Sequence, residues 1–89
     1  PVYADARIFP NPVTANQFRV LFDGQKAGRY MVSVTDLSGR AIMNSMLVIT
    51  SKVQSETVLL KAGIAKGMYL VKVTDAANQT VFTERIIVQ

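Results

Sequence analysis

Two aspartates, Asp36 and Asp75, are the residues of this 89-residue chain whose type and placement first suggest chemistry. A carboxylate pair can share acid and base roles if the fold brings the two groups within about 5–10 Å. Both, however, open a four-residue turn, Asp36-Leu37-Ser38-Gly39 and Asp75-Ala76-Ala77-Asn78. Asp at the first turn position accepts hydrogen bonds from the N–H groups that follow, and Gly or Asn at the fourth supplies the left-handed conformation of a bulged hairpin. Asp36, Gly39, Asp75 and Asn78 are therefore expected to be structural turn residues. Ser51-Lys52 is the one other nucleophile-and-base pair, but neighbours in a turn rarely converge on one reacting atom, so a polar loop is expected there. Asp23-Gly24-Gln25 offers a single carboxylate to calcium, and Gly63, Lys66 and Gly67 lack the strand, Lys-Ser/Thr and helix of a phosphate loop. The chain has neither His nor Cys, which removes the commonest general base, the thiolate ligands and any disulfide. No catalysis, metal or cofactor is expected.

The elements that would position such residues are strands. Gly28-Arg29-Tyr30-Met31-Val32-Ser33-Val34-Thr35-Asp36 returns as Gly67-Met68-Tyr69-Leu70-Val71-Lys72-Val73-Thr74-Asp75, and in both copies Tyr, Val and Val stand two apart. That is the period of a strand burying one face, and each copy runs into one of the matched turns, so two hairpins of one design are expected. Arg7-Ile8-Phe9 reads as a short first strand, ended by Pro10 and Pro12, whose rings remove ladder donors. Phe18, Val20 and Phe22 alternate in a second strand that stops at Asp23-Gly24. Residues 40–49 form a strand in which Met43, Met46 and Leu47 suggest a bulge or bend midway, and residues 53–60 form another, with Val53, Thr57 and Leu59 on one face. The stretch from Leu60 to Tyr69 has the form of a loop crossing between sheets, with Tyr69 set for a tyrosine corner. In the last strand, residues 79–88, both alternating sets are partly apolar and the inner face stays open.

Seven short strands separated by turn residues indicate an all-β fold, an immunoglobulin-like antiparallel β-sandwich; a small five- or six-stranded barrel is the alternative. No helix is expected, because Val, Ile, Thr, Tyr and Phe dominate the periodic segments. At this length a single core is near its lower size limit. The apolar fraction of 49% is scattered, with no run of about 20 residues to cross a bilayer as a helix, so no membrane insertion is expected. The net charge of +4 comes from Lys and Arg spread from Arg7 to Arg85 rather than clustered. Phe18, Phe22, Tyr30 and Tyr69 fall on the alternating set that a core claims, which argues against nucleic acid as a partner. The chain begins at Pro1 with no Met and no signal peptide, and residues 1–6 read as a linker from something longer into a domain over residues 7–89.

Four motifs, in order, add a resemblance. Phe9-Pro10-Asn11-Pro12, Asp36-Leu37-Ser38-Gly39-Arg40, Lys66-Gly67-Met68-Tyr69-Leu70-Val71-Lys72-Val73, and Arg85 followed by Ile86-Ile87-Val88 resemble the type IX secretion system C-terminal sorting domain over residues 7–89. Arg85 stands where that family often has Lys. The resemblance implies a non-enzymatic targeting domain whose attached cargo passes through the periplasm and then the outer-membrane translocon to the cell surface. It implies, as partners, the translocon with its outer-membrane shuttle component and a sortase-like peptidase that cuts near residues 1–6 and joins the cargo to an anionic lipopolysaccharide. The family's late motifs make Gly67, Tyr69, Arg85, Ile86, Ile87 and Val88 the candidate recognition residues. If the last strand lies at a sheet edge, it could pair with a receptor strand, and isolated copies could form a homodimer through such edges. A non-catalytic adhesion or carbohydrate-binding module is the competing expectation.

Overall fold

The computed structural model describes residues 5–9, 13 and 16–89. Residues 1–4 of the expected linker, and Pro10 and Pro12, lie outside the described residues. Alternating apolar residues produce seven strands: β1 (Asp5–Phe9), β2 (Gln17–Asp23), β3 (Gly28–Asp36), β4 (Ala41–Ile49), β5 (Val53–Leu59), β6 (Gly67–Thr74) and β7 (Thr80–Val88). The first strand thus starts at Asp5, two residues before the expected one. All ladders between them are antiparallel. They form a three-stranded sheet in the order β1-β2-β5 and a four-stranded sheet in the order β4-β3-β6-β7. The fold is the sandwich anticipated from strand spacing, not a closed barrel.

The core lies between the sheets and is built by parity. Phe18, Val20 and Phe22 of β2 face Tyr30, Val32 and Val34 of β3 and Tyr69, Val71 and Val73 of β6, all buried. Each fully buried side chain of this kind contributes about 1.5–3 kcal/mol relative to exposure. The rings of Phe22 and Tyr30 meet across the two sheets, centroids 5.2 Å apart at 51°. Register settles the open face of β7: Tyr69 opposes Ile86 and Gly67 opposes Val88, so Ile86 and Val88 point inward with them. In β5 the exposed row is Val53, Thr57 and Leu59, while Val58 is buried. The bulge falls at the start of β4, where Thr35 pairs Ala41 and Val34 pairs Met43; from Met43 onward the ladder is regular, so the midway bulge is corrected. Half-buried Ile42 packs against the core there.

The two hairpins share more than sequence. β4 and β7 have the same burial pattern, and the β6–β7 ladder shifts at Val73/Thr74 as β3–β4 shifts at Val34/Thr35. Within the sheet Val32 opposes Val73 and Val34 opposes Val71. Exchanging every residue for its counterpart in the other copy returns the same pairs, so an internal two-fold axis passes through the Ser33–Lys72 pair and exchanges the hairpins. β4 and β7 are consequently equivalent outer edges of one sheet.

Candidate functional site

The repeated turns hold their aspartates in identical bonding. Asp36 Oδ1 accepts from the N–H groups of Ser38 (3.0 Å) and Arg40 (2.9 Å), and Asp75 Oδ1 accepts from those of Ala77 (2.9 Å) and Gln79 (3.0 Å). The fourth turn residues, Gly39 at φ 92° and Asn78 at φ 61°, take the left-handed conformation. Asp36 alone adds a bond from Ser38 Oγ (2.6 Å) and an ion pair with Arg40 (3.3 Å). The Ser38 side-chain bond, then the Arg40 N–H, hold its carboxyl below the usual carboxylate range. Because β3 and β6 are antiparallel, the two aspartates sit at opposite ends of the sheet, roughly 20 Å apart by strand rise, and cannot share a reaction. Ser51 and Lys52 are exposed in a turn, and the described residues contain no cluster of three potential metal-ligating His, Cys, Asp or Glu side chains.

Two tyrosines each lock a loop. Tyr69, at the start of β6, donates to the Ala65 carbonyl at 2.6 Å, the corner expected from sequence; Tyr30, at the start of β3, donates to the Lys26 carbonyl at the same distance. The second corner was written in the repeat but not anticipated. Burial, then the Asp75 carboxylate, raise the Tyr30 phenol above its ordinary value. Ahead of each tyrosine, Gly28 and Gly67 have φ of 149°, a backbone region that side-chain-bearing residues rarely enter.

The late-motif residues divide by parity. Tyr69, Ile86 and Val88 are core; Arg85 and Ile87 are exposed. On the outer face, Ile87 lies opposite Met68 and Arg85 opposite Leu70, so four side chains make one corner of the β6–β7 hairpin. Met68 and Leu70 were not singled out from sequence, although their alternation with Tyr69 and Val71 carried that signal. β7 is an edge strand, as the strand-pairing idea required, but its end is occupied. The Val13 N–H donates to the Ile87 carbonyl (2.7 Å), and the Gln89 N–H donates to the Val13 carbonyl (2.9 Å). At the equivalent place on β4, the Gln54 carboxamide does the same with a side chain: Nε2 donates to the Val48 carbonyl (3.0 Å), and Oε1 accepts from the Thr50 N–H (2.9 Å). Glu56 of β5 and Glu84 of β7 are half-buried on the inward sets of their edge strands, a further obstacle to edge pairing.

Beside the other corner of the outer face, a groove of about 270 Å³ is lined by Arg29, Tyr30, Met31, Met46 and the turn residues Asp75, Ala76 and Asn78. Phe9 is the aromatic among the exposed large hydrophobic residues described, so no planar aromatic patch of the carbohydrate-binding kind is formed by them.

Comparison with known proteins agrees with the geometry. No curated protein matches the chain significantly. Among solved structures, the chain is similar to PorZ of Porphyromonas gingivalis, described as an essential bacterial surface component of the type IX secretion system. The likeness has a TM-score of 0.62 and 26% identity, covering 94% of this chain and 11% of that one, so this chain spans about a tenth of that protein's length. The family model described as the secretion system C-terminal sorting domain matches residues 7–89. The chain belongs to this family, the sorting domains of type IX secretion.

Proposed function

We propose that this domain is a folded address, read by side chains on the β6–β7 corner, that brings an attached cargo through the type IX translocon to the cell surface. The observation that carries this reading is the division of the late motif. Gly67, Tyr69, Ile86 and Val88 serve the fold, whereas Arg85 and Ile87, joined by Met68 and Leu70, stand outward where a receptor can touch them. Recognition by strand addition along the end of β7 would first have to displace Val13, so the outward face is the cheaper surface to read. The domain itself does no chemistry. Its cargo reaches the translocon from the periplasm with an outer-membrane shuttle component, and a sortase-like peptidase acts on the stretch that precedes β1.

The test is a fusion of this segment behind a periplasmic reporter in a type IX-competent cell. Surface delivery is expected for the native segment. Arg85→Glu and Ile87→Ser, both at exposed positions, are expected to abolish delivery while the purified domains keep the native melting temperature. Full delivery by both variants would refute the corner as the element that is read.

A further inference from the structure

The internal two-fold axis has a counterpart for the β6–β7 corner. Met68, Leu70, Arg85 and Ile87 exchange with Arg29, Met31, Met46 and Val48. These four also meet as cross-strand pairs, Arg29 opposite Val48 and Met31 opposite Met46. Each corner therefore has three apolar side chains and one guanidinium. Met46, Val48, Met68 and Ile87 are 57%, 54%, 44% and 39% exposed, half of the exposed large hydrophobic residues described, and all four lie on this one face. Between the corners runs the polar row Asn44-Ser33-Lys72-Thr83. Arg29, Lys72 and Arg85 form a cationic diagonal; no carboxylate stands in the outward register rows, and Asp75, in the turn beside Arg29, borders them.

We propose that the outer face of the four-stranded sheet is a two-point docking surface, in which the β3–β4 corner binds an acidic, apolar surface of a protein partner alongside the β6–β7 corner. This deepens the function proposed above and rests on it. Size favours both points over one. A corner of four side chains covers on the order of 200 Å², against about 800 Å² per partner in a standard interface, whereas the whole face offers roughly twice to three times as much as a corner. The charge pattern selects the occupant. Arg29 and Lys72, in register rows that carry no carboxylate, match carboxylates set among apolar groups, and a second copy of this chain would oppose like charges. The β3–β4 corner is also concave: the 270 Å³ groove opens between Met31, Met46, Arg29 and the second hairpin turn, where Ala76 takes the place that Leu37 holds in the other copy. A partner side chain can enter there, with its neighbouring carboxylate on Arg29. Asp75 at the rim keeps its Oδ1 on the N–H groups of Ala77 and Gln79.

The reporter fusion tests the proposal with Met46→Ser plus Val48→Ser, and separately with Arg29→Glu and Arg29→Lys. The double variant and Arg29→Glu are expected to lose at least tenfold in surface delivery, Arg29→Lys to retain most of it, and all to melt as the native domain does. Met68→Ser plus Ile87→Ser is run in parallel. Loss in that variant with native delivery by the β3–β4 variants overturns the second docking point and leaves the proposed function standing; native delivery by all of them overturns both. Sedimentation of the purified domain as a dimer disrupted by Met46→Ser, or its pelleting with phosphatidylglycerol vesicles dependent on Arg29, would overturn the protein partner in favour of self-association or a lipid surface.

Discussion

At the residue scale, two groups titrate with a consequence for stability. Tyr30 has a raised phenol pKa, so the folded state holds this proton more tightly than the unfolded chain does. Its contribution is complete below about pH 10 and is lost as pH rises through the raised value. Tyr30→Phe should cost about 1 kcal/mol at neutral pH through the lost bond to the Lys26 carbonyl, and should flatten the alkaline limb of the stability curve measured by urea titration. Asp36 has the opposite sign. Its lowered pKa means that its contribution is present above about pH 4 and disappears as pH falls through the depressed value. Asp36→Asn should therefore lower the melting temperature at pH 7 and converge with the native protein in acid. Gly67→Ala forces a side chain into a backbone conformation that costs about 1–3 kcal/mol, although the space beside Gly67 is open; thermal unfolding reads that loss as strain rather than clash.

At the element scale, what matters is how edges end. Gln54→Ala removes the hydrogen bonds to the Val48 carbonyl and from the Thr50 and Ser51 N–H groups that close the end of β4 and buries no new group, so the fold should survive while β4 becomes free to pair with a second molecule. Sedimentation should show a concentration-dependent dimer in this variant. The elements themselves were largely legible in the sequence: the Tyr-Val-Val alternation located β3 and β6, and the Asp-to-Gly or Asp-to-Asn turns located their hairpins. Three features were not. The inner face of β7 depends on which residue opposes Tyr69, a matter of cross-strand register that two half-apolar rows leave undecided. The bulge at Ile42 is set by the turn that precedes it and sits beside Met43 near the start of β4, not midway at Met46 and Leu47. Gln54 looked like an ordinary strand residue, because its role requires the turn at 50–52 to fold its amide back onto β4. Of the candidate recognition residues, sequence spacing found the strand but could not sort outward Arg85 and Ile87 from inward Ile86 and Val88 without the sheet.

At the scale of the whole molecule, 89 residues without a disulfide depend on one core between two sheets. Reductant should leave the melting temperature unchanged because the chain has no cysteine, and chelator should do the same because the described residues hold no cluster of three His, Cys, Asp or Glu side chains. All the strand pairs that close the sandwich, β2 with β5 and β3 with β6, join segments distant in sequence, so folding should be cooperative and slow for the chain length, on a timescale of milliseconds to seconds in stopped-flow refolding. The bonds that tie Val13 to Ile87 and Gln89 extend this dependence to the two flanks of the domain. A chain interrupted anywhere between them lacks either the strap or the strand it fastens, and with it part of the core. Completion of the fold is thus a physical record that synthesis has run the full distance from one flank to the other, and a receptor sensitive only to the assembled surface would ignore unfinished copies.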